Sequence, residues 1–552
     1  MNLPRIFVSL ARIFKENGYS LYMVGGTTRD YLLNKKILDF DFVTDATVDE
    51  MTSFLNISDA YRSIGSTTIS FEGEKVDITT LRKEGEYLDY RHPSNVEFVK
   101  SIKEDFIRRD FTINAIYVND EGDIIDYSHG MLDLKNRIIR MIGDPYIRLK
   151  EDSLRILRAI RFAVSLSFDL DEELKNAILK EKYMLRKINY FKCLTEIVKT
   201  KKIDQDYADK MLKSLGIDEV IPLSYNLSRT RLDVIDMHCD TITALPHYKE
   251  KLFKNNRHID IIKLCKGDYL LQCFAIFIRL AKVENPYEEF LHYYDIYKKE
   301  MEENSFIISQ VTSYKELMEN KSKRIISSLL TVEEGDIIQG DLSKLDDLYN
   351  KGVRMISLTW NYNNSLANSN FVYNDEGVDL YTPNTNGGLT PLGIKWVKRM
   401  NELGMIIDVS HLSDAGFYDV IKYSTQPIVA SHSNSRAIQP VVRNLTDDMI
   451  LALSKNGGVM GINYCPMFIS DSEEDQIKDI VEHIKHIVDV GGINVVALGS
   501  DFDGISTPKG MENASMTHKL KEALENAGFS RKDINKIFHE NFLRVFKKVC
   551  SK

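Results

Sequence analysis

At 552 residues the chain is too long for one core, and 43% hydrophobic with 28% charged residues is the composition of a globular protein rather than a disordered one. Six cysteines without a CxxC pair exclude a disulfide framework and a zinc ribbon, and no run of 18 apolar residues predicts a membrane span. The formal charge of −9 is uneven: residues 1–232 carry −1 and the remainder −8, so the near-neutral first part is the one compatible with a polyanion.

The chain opens on "MNLPRIFVSLARIFKENGYS", whose apolar residues recur at helical spacing around Arg12, Lys15 and Glu16. This predicts an amphipathic helix rather than a signal peptide, and a reducing cytoplasm is the expected compartment. Short β-rich runs follow, among them "SLYMVGG", "FDFVT", "TTISFEGEKVDITTL" and "AIYVNDEGDIIDY". They predict an α+β unit over residues 1–140 with a mostly antiparallel sheet. From Asp144 the period turns helical, which predicts a helical unit over 141–222. A polar stretch without clear period serves as linker over 223–232. Beyond it apolar strands alternate with amphipathic helices through residues 233–552, the pattern of a parallel α/β fold, for which a closed eight-stranded barrel is the natural candidate.

Several of these later strands end in a metal-ligating residue. His238 and Asp240 in "VIDMHCDTI" share one face of an extended chain, with Cys239 pointing away as a small core residue. Glu333 closes "LLTVE", His411 closes "IIDVSH", His432 closes "IVASH" and Asp501 closes "VVALGSD". In a barrel the C-terminal strand ends converge on one mouth. A single strand-end histidine is usually a polar cap, but this many on one barrel are not independent caps. Imidazoles mixed with carboxylates suit Zn²⁺ better than Mg²⁺. By contrast, His483 and His486 in "DIVEHIKHIVDVGG" are expected on a solvated helix face.

The stretches "DMHCDT", "LLTVEEGD", "GVRMISLTWNYNN", "GMIIDVSHLS", "PIVASHSNSRAI" and "ALGSDFDGI" resemble the renal or membrane dipeptidase family of metallopeptidases over residues 234–552. The resemblance implies a (β/α)8, TIM-like metallohydrolase barrel with two zinc ions acting on dipeptides. His238 and Asp240 would bind the first ion, Glu333 would bridge, and His411 and His432 would bind the second. Arg443 would hold the substrate's free carboxylate, a bidentate match, and Asp501 would shuttle the proton. Two zinc ions lower the pKa of a shared water to about 7. Glu334 directly follows Glu333 and competes for the bridging place; Glu333 is preferred because it follows Val332 of the strand. Trp360 stands where some members have a substrate-binding histidine. Without a signal peptide or lipid anchor, the chain resembles the cytoplasmic bacterial members.

In the first half, "YMVGGTTRDYLLNKKILDFDFVTDAT" carries Gly25 and Gly26, then Arg29, then Asp39 and Asp41 one residue apart. Two aspartates on one strand face can hold Mg²⁺ against a nucleotide's phosphates, and paired glycines let backbone N–H groups approach a triphosphate. With "DYRHPSNVEF", "IKEDFIRRDFTINAIYVNDEGDIIDY", "GMLDLKNRIIRMIGDP" and "KEDSLRILRAIRFA", residues 1–200 resemble the class II CCA-adding tRNA nucleotidyltransferases, related to bacterial poly(A) polymerases. This implies a nucleotidyltransferase head with a helical neck. Asp39 and Asp41 would be catalytic, and Arg108, Arg109 and Asp110 would serve the phosphates and sugar of CTP or ATP. Asp152 and Arg155, expected on one helix face, would read the base edge, with Arg158 continuing that basic face. Family members continue into a helical body and tail that grip tRNA; here that region stops near residue 220 and the second pattern begins.

The resulting expectation is two enzymes on one chain: a Mg²⁺-dependent transferase of CMP or AMP to a tRNA or other RNA 3′ end, and a dinuclear zinc dipeptidase. A homodimer is admitted and no membrane partner is expected. The rivals are a dipeptidase whose first half only binds nucleotide or RNA, and a barrel that is a metal-bound scaffold.

Overall fold

The first apolar stripe of the chain builds its first core. Ile6, Phe7, Leu10, Ala11 and Phe14 form the buried face of helix Arg5–Glu16, and Phe7 meets Phe42 of the underlying sheet with ring centres 5.3 Å apart. The computed structural model describes residues 3–57, 59–87, 90–91, 93–223, 231–374, 377–472 and 474–551. The chain divides into two compact units, Met1–Leu223 and Ser224–Lys552. Most of the expected linker, residues 224–230, lies outside the described residues.

In the first unit a seven-stranded sheet runs in the order Asp59–Tyr61, Ser66–Phe71, Glu74–Thr80, Phe40–Thr44, Leu21–Met23, Ile116–Val118, Ile124–Asp126. Its pairs are antiparallel except for Phe40–Thr44 beside Glu74–Thr80, which are parallel with Asp41 opposite Asp77. The alternation of strand residues divides labour between the faces. Phe42, Val76 and Ile78 go to the core under the first helix, which leaves Asp41 and Asp77 on the other side.

The helical part of this unit begins with Pro145–Glu151, started by Asp144, whose side chain accepts from Tyr146 N at 2.8 Å, with proline at the first helical position. The next helix is Leu154–Leu166. Asp152 therefore does not share a helix face with Arg155, as its spacing suggested. It takes extended dihedrals in the break between the two helices and accepts from Leu154 N at 3.1 Å. An aspartate that bonds the backbone two residues on favours such a break over continuation.

In the second unit, eight parallel strands among the described residues close into a barrel. They are Val234–Asp236, Tyr269–Phe277, Ile326–Glu333, Val353–Ser357, Ile406–Asp408, Val429–Ala430, Val459–Ile462 and Val496–Leu498, and the last pairs back onto the first. A short strand, Ile308–Gln310, extends the sheet beside the N-terminal end of Ile326–Glu333. Ile235, Leu271, Leu329, Met355, Val429, Val459 and Ala497 share one buried cluster with Phe542, Val545 and Phe546 of the last helix, Asn541–Val549. Each of these side chains larger than alanine contributes about 1.5–3 kcal/mol by its burial.

Two expectations change here. The strand of His238 ends at Asp236, so His238 and Asp240 project from the loop beyond it rather than from the strand face. His483 is fully buried: its Nδ1 accepts from Ser435 N at 3.1 Å and its Nε2 lies 2.8 Å from Ile469 O. Helix Gln476–Gly491 is packed on that side, which turns His483 into a buried tie between loops. His486 does face outward, beside Asp447 at 2.8 Å. All six cysteines are free and buried. No helix among the described residues is long and apolar enough to cross a membrane.

The most consequential buried charge in the first unit is Asp105. It accepts from Arg108 Nε at 2.8 Å, Arg109 Nε at 3.0 Å and Tyr117 OH at 2.7 Å. Burial pushes its carboxyl up, but Arg109 and Arg108 override this and hold it below the usual carboxylate range. Replacing Asp105 with asparagine is expected to cost roughly 3–5 kcal/mol, because two arginines lose a buried partner. A folded-state pKa below the unfolded one places this stability above about pH 4, with loss as pH falls further. Urea unfolding of the full chain, followed by first-unit hydrogen exchange at several pH values, checks both the size and the sign.

Candidate active sites

Six buried residues from five strand ends of the barrel meet at its C-terminal mouth. Glu333, the last residue of its strand, lies at the centre. Its Oε1 is 2.9 Å from His411 Nε2 and 3.6 Å from His432 Nε2, and its Oε2 is 3.5 Å from His238 Nε2. His238 Nε2 is also 3.7 Å from Asp240 and 3.9 Å from Asp501, yet it hydrogen-bonds to none of these carboxylates. Asp240 Oδ1 is likewise buried without a partner. The His238 and His432 rings stack at 3.9 Å, and the Nε2 atoms of His411 and His432 approach to 3.0 Å.

Buried groups of this kind are normally satisfied, so the unsatisfied His238 Nε2 and Asp240 Oδ1 among converging ligand atoms mark a cation site. The ligand atoms fall into three sets, each within 4.8 Å: His238, Asp240 and Glu333; Glu333, His411 and His432; His238, His432 and Asp501. The first two share Glu333, the arrangement a dinuclear centre needs. Glu334 does not compete. It turns away with φ +86° and accepts from Trp360 N at 3.0 Å and Asn364 Nδ2 at 2.5 Å, thereby bracing the loop that carries Trp360.

The backbone around the ligands is strained. His411 and Asp501 adopt left-handed φ of +68° and +63°, which non-glycine residues rarely take, and both turns aim the side chain inward. Gly504 closes the far side: a Cβ there would collide with the carboxylates of Asp240 and Asp501. Sequence reasoning did not find the residues that orient the ligands. Asn361 Oδ1 lies 2.6 Å from His411 Nδ1, and Ser431 Oγ lies 2.7 Å from His432 Nδ1 while donating to buried Asp408 at 2.6 Å. Asn463 donates to Asp501 at 3.0 Å. The available signal was polar residues beside two ligands in "DVSH" and "ASHS"; Asn361 and Asn463 lie away from any ligand in sequence.

Burial raises the Asp501 carboxyl to about 7 against the pull of His238, with Asp240 and Glu333 adding to the rise. Burial also pushes Glu333 upward, but His238 and the other two imidazoles hold it well below the usual range. Arg443 is buried, donating to Ser433 Oγ at 3.3 Å and to His432 O at 3.1 Å, with its Nε unpartnered. Arg443, Trp360, Asp240, Glu333, His411 and Asp501 open on a cavity of about 840 Å³.

A second cleft of about 840 Å³ lies in the first unit, and every nucleotide-site residue expected from the sequence lines it. Gly25, at φ +66°, and Gly26 lie where a Cβ would sit 3.5–3.6 Å from the Asp41 carboxylate. Thr27 Oγ1 donates to Asp39 O at 3.0 Å and accepts from Asp41 N at 2.6 Å, which couples the glycine turn to the aspartates. Asp77 is a third carboxylate beside Asp39 and Asp41 that sequence reading missed. Burial, then Asp77, raises the Asp41 carboxyl. The signal for Asp77 was an aspartate at an alternating position in "KVDITT"; its strand partner was not legible. Arg158 holds Asp110 at 2.5 and 2.9 Å, and Asp152 pairs with Arg91 at 2.5 Å. Arg155 is buried against Glu151 at 3.1 Å and Arg148 O at 2.9 Å. Hard carboxylate oxygens facing arginines suit a divalent cation bound with a polyphosphate.

Comparison with known proteins accounts for both halves. Residues 227–551 match the model of the membrane dipeptidase family, peptidase family M19, and residues 21–140 match that of the poly A polymerase head domain. Among curated relatives, the CCA-adding enzyme of Bacillus licheniformis is 44% identical over 181 residues, 33% of this chain and 46% of that one. The CCA-adding enzyme of Lactobacillus helveticus is 40% identical over 201 residues, 36% and 50% of the two chains. The chain spans about half the length of the curated relatives it matches. Among solved structures, a metallopeptidase described as dipeptidase AC of family M19 aligns over 58% of this chain and all of its own, with 24% identity and a TM-score of 0.54. A Rhodobacter sphaeroides metallopeptidase, liganded with a phosphinate mimic of the dipeptide L-Ala-D-Ala, aligns equally far with 23% identity and a TM-score of 0.54. These two likenesses establish the barrel fold.

The two glutamates separate cleanly by experiment. Glu333→Gln is expected to lose bound metal, whereas Glu334→Gln should retain it, when metal per chain is counted by elemental analysis after dialysis. Equal metal in both variants would remove Glu333 from the centre.

Proposed function

Because the chain belongs to the membrane dipeptidase family, we propose that its barrel is a dinuclear zinc dipeptidase and that its first unit is a Mg²⁺-dependent nucleotidyltransferase acting on an RNA 3′ end. The observation that carries the peptidase reading is Glu333 shared between two ligand sets, with His238 Nε2 and Asp240 Oδ1 left unsatisfied by the protein itself. His238, Asp240 and Glu333 would hold one ion, and Glu333, His411 and His432 the other. When bound, the zinc pair supplies Lewis acidity toward the scissile carbonyl and an activated water. The protein's own groups do the rest. Arg443 orients the substrate through its free carboxylate. Asp501, buried beside the ligand set, can take a proton from the water and return it to the departing amine. The buried Asp408–Ser431 pair keeps the His432 ring in place.

For the first unit, Asp39 and Asp41 would hold Mg²⁺ with Asp77 alongside, and the Gly25–Gly26 turn and arginines would receive the triphosphate of CTP or ATP. Asp152 and Arg155 would face the base. The half-length match to CCA-adding enzymes favours a second reading, in which this unit binds nucleotide or RNA without transferring it.

Two outcomes test these readings. Asp501→Asn should lower kcat for dipeptide hydrolysis roughly 10²–10⁴-fold, the range of a lost general acid–base, with smaller change in KM; an unchanged kcat removes Asp501 from proton transfer. Full-length protein with Mg²⁺, labelled CTP or ATP and tRNA lacking its 3′ CCA should incorporate label, and Asp41→Ala should abolish this. Nucleotide binding without incorporation supports the binding-module reading instead.

A further inference from the structure

The dipeptidase cavity has two charged walls, and only one is accounted for by the carboxylate-holding Arg443. Around the eight-stranded ring, Arg443 follows the sixth strand, Val429–Ala430. Arg279 follows the second, Tyr269–Phe277, which is the diametrically opposite position. Arg279 and Lys282 are exposed and line the same cavity. Among the described residues neither has a carboxylate partner. Glu289 also lines the cavity and makes no ion pair with either cation among the described residues.

Arg279 is not a loose surface side chain. Its guanidinium carbon lies 5.7 Å from the centre of the Trp360 ring. Trp360 packs on Phe277 at 4.9 Å and on Tyr362 at 5.5 Å, and its ring centre is 6.4 Å from that of His411. The two loops are tied together, since Leu280 N donates to Tyr362 OH at 2.7 Å. Buried Glu334 fixes the backbone of Trp360. A cation spread over a braced indole, beside one metal ligand and across the mouth from the carboxylate-binding arginine, is a side-chain subsite.

We propose, on the basis of the peptidase reading, that Arg279, laid on Trp360 and assisted by Lys282, is the specificity determinant for the N-terminal side chain of the dipeptide and selects an acidic residue there. With the C-terminal carboxylate on Arg443, the N-terminal residue extends toward the opposite wall. A glutamate side chain carries its carboxylate outward to Arg279 while its methylenes pass along Trp360 and Phe277. The cations at the mouth, exposed and without a carboxylate partner among the described residues, are where an acidic side chain gains.

The test compares kcat/KM for Glu-Ala, Gln-Ala and Ala-Ala, using the full chain supplied with zinc. Gln-Ala matches Glu-Ala in shape and lacks only the charge. Glu-Ala is expected to exceed Gln-Ala about tenfold, the discrimination available to a partly exposed charge-assisted contact. Arg279→Gln should bring that ratio close to one, mainly through KM for Glu-Ala, and Arg279→Lys should keep part of it. A wild-type ratio of one or less, or a ratio unmoved in Arg279→Gln, overturns the proposal; hydrolysis of Ala-Ala in the same preparation shows that the peptidase reading survives that failure. Hydrolysis of none of the three overturns both.

Discussion

The second unit depends on one carboxylate. Glu333 ends a fully buried strand and faces three imidazoles, two of which are pressed together at 3.0 Å between ring nitrogens. Such a group of ionisable side chains is costly to assemble in a dry place, and the protein alone leaves His238 Nε2 and Asp240 Oδ1 unsatisfied. The barrel bears that cost by bracing each ligand from behind. Asp408 and Ser431 hold His432, Asn361 holds His411, and Ser500 donates to Asp236 beneath His238 at 2.6 Å. The left-handed turns at His411 and Asp501 belong to the same arrangement, since strain is tolerated where the surroundings over-determine the conformation.

The first unit solves a comparable problem differently. Its acidic cluster lies in an open cleft on the polar side of a sheet, and the arginines around it are themselves paired. Asp105 holds Arg108 and Arg109, Asp110 holds Arg158, and Glu151 holds Arg155. Pairing fixes the guanidinium planes in advance, so less side-chain entropy is lost when an anionic ligand arrives. The barrel site is a buried cluster of imidazoles and carboxylates at the floor of its cavity, whereas this one is a lined cleft of oxygens and guanidinium groups. The two donor sets match the cations proposed for them.

Nothing in either site requires the other. Each has its own core, its own cleft and its own ligand set, and the two compact units divide at Leu223 and Ser224. The physical reasons offered for each proposed activity are therefore local to its own unit.

Much of this was written in local sequence. The period of the first helix, the switch from strand to helix near Asp144, and the strand–helix alternation after Asp233 follow from where apolar residues fall, because burial needs one face of each element to be apolar. The six residues at the barrel mouth were also legible, since closing a parallel barrel forces the ends of its strands together whatever lies between them. Local spacing could not decide how neighbouring elements meet. Asp77 belongs beside Asp41 only because their strands pair in parallel with those residues opposite. His483 is buried because of what packs on its helix, and Asp152 falls in a helix break rather than on a helix face. Arg279 and Trp360 are 81 residues apart in sequence and meet as a cation over an indole, their loops tied by the hydrogen bond from Leu280 N to Tyr362 OH. Periodicity reports which way a side chain faces relative to its own element; only the tertiary structure reports which other element it then meets.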